Sequence, residues 1–306
     1  MTLILAIGLA TGCVYALIAV GYSLEYRTTG IVNFAEGNYV MVGGFSTYWL
    51  LNVARLPYPI AILGGILVTT LCGLVLWYAI VLPLWRRRSP PYVVLLGTIV
   101  FGAILSILAL LLLGPLPQTL PPWIPGFFIT FGDSRIEGQY LVVVVMTLLI
   151  MAVITSTLQF TRLGREMRAC AASRDTSELV GVSPERMGML SFAATGAVGG
   201  LAGAMITPAQ FTSADVGLAY GVFGFVAAVL GGFGTMRGAF VGGIILGLVN
   251  VLVGRYISSN YQAVIAFAML LALLAVRPQG ITGKSWEESE TRRAPQAAAS
   301  PARSRS

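Results

Sequence analysis

The chain has 306 residues, of which 57% are hydrophobic and only 10% are charged. Soluble domains carry about 25% charged residues, so this composition excludes an ordinary soluble domain and predicts an integral membrane protein. The net charge of +7 does not indicate nucleic-acid binding, because the basic residues lie in short loops and a tail, without a basic domain and stacking aromatics.

The chain contains no histidine, which excludes haem ligation by His, a His proton relay and a Ser-His-Asp triad. The three cysteines, Cys13, Cys72 and Cys170, lack the spacing of a metal site and are interpreted as packing residues. The carboxylates fall almost entirely in loops or at segment ends, and no pair is expected on one membrane face. We therefore expect no catalytic residue, no metal and no cofactor.

Apolar segments of about 20 residues recur along the chain, a length that crosses about 30 Å of hydrocarbon as a helix. They predict an all-α polytopic bundle of about eight or nine transmembrane segments within one membrane domain of residues 1–283. The first segment is expected to remain as a span, because no basic region precedes it. The segments lie near 3–24, 31–52, 60–84, 92–113, 139–160, 188–207, 217–235, 238–254 and 261–276.

The second segment carries three polar side chains in its first turns, Asn33, Glu36 and Asn38. A charge in hydrocarbon costs at least a few kcal/mol, so it usually faces a cavity or a partner. In one interpretation the three residues line a polar solute pathway or a helix break within it. In the other they lie at the cytoplasmic interface, with Glu36 paired to Arg27. A proton-coupled carrier usually needs an ionisable residue near the membrane midplane, and Glu36 is the only candidate in this chain. The scarcity of such residues counts against a proton-coupled carrier.

The distribution of Lys and Arg over short loops predicts the orientation of the bundle. With Arg86, Arg87 and Arg88 in the cytoplasm, alternation of the spans leaves outside only Arg55, Arg135 and Arg255. The N-terminus is then expected outside and the C-terminus inside. If the segment 31–52 is re-entrant and does not cross, the N-terminus moves inside and the rest of the topology is unchanged. The Pro- and aromatic-rich stretch 114–138 lies outside, and the charged loop 161–187 lies inside. The polar tail 284–306 has too few apolar residues for a core and is expected to be disordered.

Glycines at a spacing of four predict close contacts between helices, because small residues let backbones approach in lipid. The glycines Gly231 and Gly232, in a Gly-rich late stretch, are expected to pack in the same way. The spaced pairs are Gly8/Gly12, Gly196/Gly200, Gly199/Gly203, Gly238/Gly242 and Gly243/Gly247.

The loop from Gly164 to Gly181 combines small residues with alternating charges. This pattern predicts either a short helix that inserts into a groove on a partner protein or an ordinary solvated loop. Gly181 is a suitable helix stop. Further on, residues 280–285 resemble the end of a phosphate-binding loop, but Pro278 stands where the full pattern requires Gly. No ATPase is therefore expected in this chain.

Four groups of residues, in chain order, resemble the branched-chain amino acid type of ABC importer permease, over about residues 5–283. They are Tyr15–Gly21 with Thr29–Ala35, the interior stretch Gly164–Val182 with Ser191-Phe192, the stretch Val229–Ala239, and Arg277–Gly280. The resemblance implies a membrane-spanning subunit that forms the translocation path for a small polar solute, most of all a branched-chain or related amino acid. It also implies an inner-membrane location.

The resemblance further implies partners. These are two separate ABC ATPase subunits, a second related permease in a heterodimer, and an extracytoplasmic solute-binding protein. In relatives the interior loop is the coupling helix that docks in the ATPase, which implies that role here for residues 168–181 and their neighbours. The residues assigned to ATPase coupling are Arg165, Arg168, Ala169, Asp175, Glu178, Leu179 and Gly181.

Three positions depart from the family pattern. The family usually has His where this chain has Glu36, often an acid where it has Asn38, and Asp or Asn where it has Ser173. Two of these departures fall in the expected pathway, so the solute stays open among branched-chain amino acids, other amino acids, urea, short amides and sugars. A secondary transporter and a membrane anchor subunit are the alternatives outside the ABC class.

Overall fold

The computed structural model of the protein describes residues 2–131, 134–172, 174–179 and 181–282. Ser173 and the predicted tail 284–306 lie outside the described residues. The described part consists of helices and one hairpin: α1 Thr2–Thr29, α2 Glu36–Asn52, α3 Tyr58–Leu76, α4 Leu82–Arg86, α5 Pro91–Leu113, β1 Phe128–Phe131, β2 Ser134–Glu137, α6 Gly138–Phe160, α7 Arg162–Ala172, α8 Arg174–Leu179, α9 Pro184–Ile206, α10 Val216–Gly231, α11 Met236–Tyr256 and α12 Gln262–Val276.

Seven of these helical stretches are long and apolar enough to cross a membrane. One of them runs from Tyr58 to Arg86, because a five-residue π-helix at Trp77–Val81 joins α3 to α4 without interruption. The last of the seven is Ser259–Val276, which adds a 3₁₀ turn at Ser259–Tyr261 to α12. The apolar α10 has 16 residues and α2 has 17, so both are shorter than the seven stretches. The prediction of a helical membrane bundle is confirmed. The predicted count of eight or nine spans is reached only if α2, α10 or both also cross the membrane.

A short break separates α1 from α2. Gly30 ends α1 in a left-handed conformation, with φ of +73°, which glycine adopts without a steric penalty. Its N–H donates to the Tyr26 carbonyl oxygen at 2.8 Å. The side-chain oxygen of Asn33 then accepts a hydrogen bond from the Ala35 N–H at 3.0 Å. This side chain thus satisfies backbone that a helix would otherwise use, so α2 begins at Glu36, five residues later than the predicted segment.

The helix α1 lies in the middle of the bundle and packs against α6, α9, α10 and α11. Its contact with α11 is closest where glycines face each other. A Cβ atom on Gly247 would overlap the Gly12 backbone, and one on Gly243 would overlap the backbone of Ala16. The first and the last predicted glycine pairs therefore belong to one interface between α1 and α11.

Contacts between loops define the two ends of the bundle. At the hairpin end, Gln118 and Thr212 exchange backbone hydrogen bonds of 2.8 Å, and β1 pairs antiparallel with β2. At the α7 end, Arg86 and Glu185 form an ion pair of 2.7 Å. The β1–β2 hairpin departs from the all-α prediction. Its first strand, Phe128–Phe131, consists of aromatic and β-branched residues, which favour strands.

Candidate functional site

A cluster of polar side chains is buried where the break between α1 and α2 meets α9. Its members are each 1% exposed or less: Glu25, Asn33, Glu36, Tyr39 and Thr195. The Asn33 side-chain amide donates to the Glu25 Oε1 atom and to the Tyr39 hydroxyl, both at 3.3 Å. The Thr195 hydroxyl donates to the same Glu25 oxygen. Residues up to 170 positions apart in the chain are therefore joined in one hydrogen-bonded group.

Two carboxyl groups, those of Glu25 and Glu36, lie in this cluster. Gly21 makes room for the second, because a Cβ atom at this position would overlap the Glu36 Oε1 atom. The Oε2 atoms of Glu25 and Glu36 are buried and have no hydrogen-bond partner within the described part of the chain. Buried polar atoms are usually paired, so a cluster with two unpaired acceptors is a site where an additional donor is favoured.

The cluster corrects two expectations from the sequence. Glu25 was expected at a segment end, and no carboxylate pair was expected on one face. Because α1 continues to Thr29, beyond the predicted end at residue 24, Glu25 lies inside the helix and beside Glu36. The pairing of Glu36 with Arg27 is also wrong, since Glu36 is buried while Arg27 is exposed at the end of α1.

The third polar residue of the predicted pathway points elsewhere. The Asn38 amide donates to the Gly102 carbonyl oxygen of α5, and the Asn38 side chain also packs against Gly217 of α10. Residues two positions apart lie roughly 200° apart around an α-helix. Asn38 therefore connects α2 to α5 and α10, whereas Glu36 faces α1 and α9.

The residues assigned to coupling lie on two short helices at the α7 end. The Thr161 hydroxyl accepts a hydrogen bond from the Gly164 N–H at 3.2 Å and so caps the N-terminus of α7. The helix α7 packs against α1, α6 and α9. Arg165 and Arg168 are exposed, and Ala169 is half-buried. Arg168 donates to the Leu158 carbonyl oxygen at the end of α6.

The following helix, α8, ends in an exposed apolar side chain. Leu179 is 87% exposed, and Glu178 is exposed beside it. Gly181 has a left-handed φ of +79° and donates its N–H to the Glu178 carbonyl oxygen at 3.0 Å, which ends the helix. The side chain of Asp175 lies outside the described residues.

The six glycines assigned to packing lie at two helix contacts. Cβ atoms on Gly196 and Gly200 of α9 would overlap Thr69 of α3. Between α10 and α11, a Cβ atom on Gly231, Gly238 or Gly242 would overlap backbone atoms of the other helix. Gly232 follows α10 with φ of +108°, a conformation that suits glycine.

The sequence interpretation missed Glu25, Tyr39 and Thr195 as members of the cluster. Glu25 carried a usable signal, since a charge five residues before a glycine helix stop still lies inside the helix. Thr195 carried none, because a single threonine in a glycine-rich segment looks like any other helix-packing residue.

The fold and the cluster together define the class of this protein. It is a polytopic helical membrane protein whose bundle encloses a polar helix break and carries an amphipathic helix at one end. The family model for "Branched-chain amino acid transport system / permease component" matches residues 4–274, so the chain belongs to this family of permeases.

Individual relatives agree with the family. The chain is 32% identical over 299 residues to the high-affinity branched-chain amino acid transport system permease protein LivH of Salmonella typhimurium, covering 90% of this chain and 94% of that protein. It is 29% identical over 290 residues to the permease BraD of Pseudomonas aeruginosa, with the same coverage. A solved structure, "PsaBC from Streptococcus pneumoniae in complex with Fab", superposes with a TM-score of 0.51 at 11% identity, over 89% of this chain and 91% of that chain.

Proposed function

We propose that this permease transports branched-chain amino acids into the cell as the membrane-spanning subunit of an ATP-driven importer. The observation that carries the proposal is the family match, which extends from residue 4 to residue 274 and so includes nearly every described helix. Two relatives that align over 90% of the chain are named as high-affinity permeases for the same class of solute.

The proposed solute path passes the helix break, with Asn33, Glu36 and Asn38 as the polar residues that respond to the solute. Support comes from their positions, because all three are buried, Asn33 and Glu36 against α1 and Asn38 against α5 and α10. Side chains that hydrogen-bond at a helix break can change their hydrogen-bond partners while the helices on either side keep their own backbone hydrogen bonds. The unpaired carboxyl oxygens of Glu25 and Glu36 suit the ammonium group of an amino acid that comes within reach as the subunits move.

The proposed coupling element is the pair α7 and α8, with Arg165, Arg168, Ala169, Asp175, Glu178, Leu179 and Gly181 as its residues. Leu179 supports this role, because an apolar side chain with 87% exposure fits a groove on a partner protein. Since α7 packs against α1, α6 and α9, a push on α7 reaches the helices that enclose the polar cluster.

The proposed complex contains two ABC ATPase subunits, a second related permease and an extracytoplasmic solute-binding protein that contacts residues 114–138. In the proposed topology α2 and α10 also cross the bacterial inner membrane, which gives nine spans with the N-terminus outside and the C-terminus in the cytoplasm. The charge distribution supports this orientation, since Arg27, Arg86–Arg88, Arg165 and Arg168 then all lie inside.

The test is transport in proteoliposomes that contain the complete complex. We expect labelled leucine, isoleucine and valine to accumulate only with ATP, whereas labelled ribose and urea do not. The control is the same complex with an ATPase subunit that binds but does not hydrolyse ATP. Uptake that persists without ATP and collapses with a protonophore would instead indicate a secondary transporter, and absence of any uptake would favour an anchor subunit.

A further inference from the structure

Two neighbouring cavities, of about 650 and about 700 Å³, open at the α7 end of the bundle. Their walls come from the end of α1, from α7 and from the connection between α10 and α11. Four residues line both: Arg27, Thr28, Arg168 and Gly234. We call the joined space the basic recess. Its size is that of a small-molecule site.

The recess has a single sign of charge. Arg27 and Arg168 line both cavities, Arg237 lines the second, and none of the residues that line either cavity is acidic. The ion pair among the described residues is that of Arg86 with Glu185, so none of the three arginines is neutralised by a described carboxylate. Three guanidinium groups around a space partly shielded from water attract an anion more strongly than isolated surface charges do.

The charged hydrogen-bond donors of the recess belong to its arginines. The hydroxyls of Thr28 and Thr29 already donate to carbonyl oxygens of α1, at 2.8 and 2.7 Å. The Arg27 side chain makes no hydrogen bond to a described residue, and Arg168 uses one N–H on the Leu158 carbonyl oxygen. Each guanidinium carries five N–H donors in a planar fork that matches the oxygens of a phosphate group.

The position of the recess also points to a ligand at the membrane surface. α1 ends at Thr29 and the span that begins at Tyr58 ends at Arg86, so the recess lies where two spans leave the hydrocarbon. The aromatic rings of Tyr26, Trp85 and Phe233 form part of its wall, and such rings favour the level of the lipid headgroups. Basic pockets between helix ends are suited to anionic headgroups.

We propose that the basic recess is a binding site for a phosphate group, carried either by an anionic phospholipid headgroup or by free phosphate. A bound phosphate holds Arg27 of α1, Arg168 of α7 and Arg237 of α11 together. Because α7 is the proposed coupling element, occupancy of the recess restrains its movement relative to α1. The site is separate from the solute path and does not depend on which solute is carried.

The test uses the full-length chain in nanodiscs. In one arm the discs contain phosphatidylglycerol and phosphatidylcholine, and native mass spectrometry counts the phosphatidylglycerol retained after release. In the other arm the discs contain phosphatidylcholine only, and the melting temperature is measured against inorganic phosphate, with chloride at matched ionic strength as reference. The variants are Arg27→Gln and Arg237→Gln, on two different helices, so that one remains if the other does not fold. Arg87→Gln is the matched control, since Arg87 is exposed at the same end and outside both cavities.

We expect Arg27→Gln and Arg237→Gln to reduce binding at least about fivefold in one arm, the loss of one charge-assisted contact, while Arg87→Gln leaves it within about twofold. A change in the first arm alone identifies the lipid as the source of the phosphate, and a change in the second alone identifies free phosphate. The proposal is overturned if the wild type binds in neither arm, or if Arg87→Gln weakens binding as much as the two recess variants.

Discussion

A single amide side chain, that of Asn33, links Glu25, Tyr39 and the backbone of the helix break within the polar cluster. Its oxygen accepts the Ala35 N–H, and its nitrogen donates to the Glu25 carboxyl and to the Tyr39 hydroxyl. Each of these groups is buried, so each has no water to replace a lost partner. A buried polar group left without a partner costs about 1–3 kcal/mol.

The first prediction concerns this amide. Asn33→Leu leaves the Ala35 N–H unpaired and removes a donor from Glu25, so we expect a loss of about 2–4 kcal/mol in the free energy of unfolding. The measurement is the thermal melting of the purified chain in nanodiscs. Asn52→Leu is the control, because Asn52 bonds only to the Tyr48 carbonyl oxygen at an exposed position. Equal melting temperatures for the two variants would contradict the role of Asn33.

The second prediction compares two glycines at one helix contact. A Cβ atom on Gly37 of α2 would overlap the backbone of Gly217 and Gly221, whereas one on Gly221 of α10 would meet its nearest heavy atoms at 3.6 Å. Gly37→Ala therefore forces the helices apart, at a cost of about 1–3 kcal/mol, and Gly221→Ala is accommodated.

The readout is the folded yield after purification, with the melting temperature of the folded fraction. We expect a clear loss for Gly37→Ala and little change for Gly221→Ala. Equal losses would mean that α2 and α10 do not cross as closely at Gly37 as the structure places them.

At the scale of elements, α7 differs from the membrane spans because its exposed face carries mainly charged side chains instead of apolar ones. Gly164 and Cys170 are buried, while Arg165 and Arg168 are exposed. An element attached on one side and open on the other can transmit force from a partner to the bundle. Contact with the exposed Leu179 would contribute most to the binding free energy of such a partner, since burying a leucine side chain contributes about 1.5–3 kcal/mol.

The third prediction follows from that exposure. Leu179→Ser lowers the affinity for the ATPase subunit by about tenfold or more and leaves the fold intact, because Leu179 buries little surface in the chain itself. The measurement is the amount of ATPase that co-purifies in mild detergent. Leu116→Ser is the matched control, a leucine with 71% exposure at the hairpin end. If both variants retain the ATPase equally, α8 does not contact it.

At the scale of the whole molecule, the two ends of the bundle differ in their loop contacts and in their number of basic residues. The hairpin end carries Leu116 and Arg135, and the α7 end carries Arg27, Arg87 and Arg168. The excess of basic residues at the α7 end predicts that it faces the cytoplasm.

The fourth prediction tests this orientation in a cysteine-free background, with Cys13, Cys72 and Cys170 replaced by Ala. We expect Leu116→Cys to react with a membrane-impermeant maleimide in intact spheroplasts, and Arg87→Cys to react only after the membrane is permeabilised. Both positions are exposed, so accessibility depends on the side of the membrane. The reverse labelling pattern would invert the proposed topology and place the coupling helices outside.

The sequence alone determined the membrane class and the position of each apolar helix to within a few residues, and it indicated the polar break after α1 as one of two interpretations. These features are local. A span is recognised by about 20 apolar residues, and Gly30 with Asn33 marks the break through its own backbone geometry. The close approach of glycine-containing helices was also predictable, because the spacing of four is a property of one helix.

Only the tertiary structure decided which helices meet. It brought Glu25 beside Glu36 and Thr195, placed Asn38 against α5 and α10, and joined the glycines of α1 to those of α11. In a soluble protein the polar and apolar faces of a helix indicate which side is buried. In a membrane both the lipid-facing and the protein-facing sides are apolar, so the sequence of one helix does not specify its neighbours, and the packing of the whole bundle does.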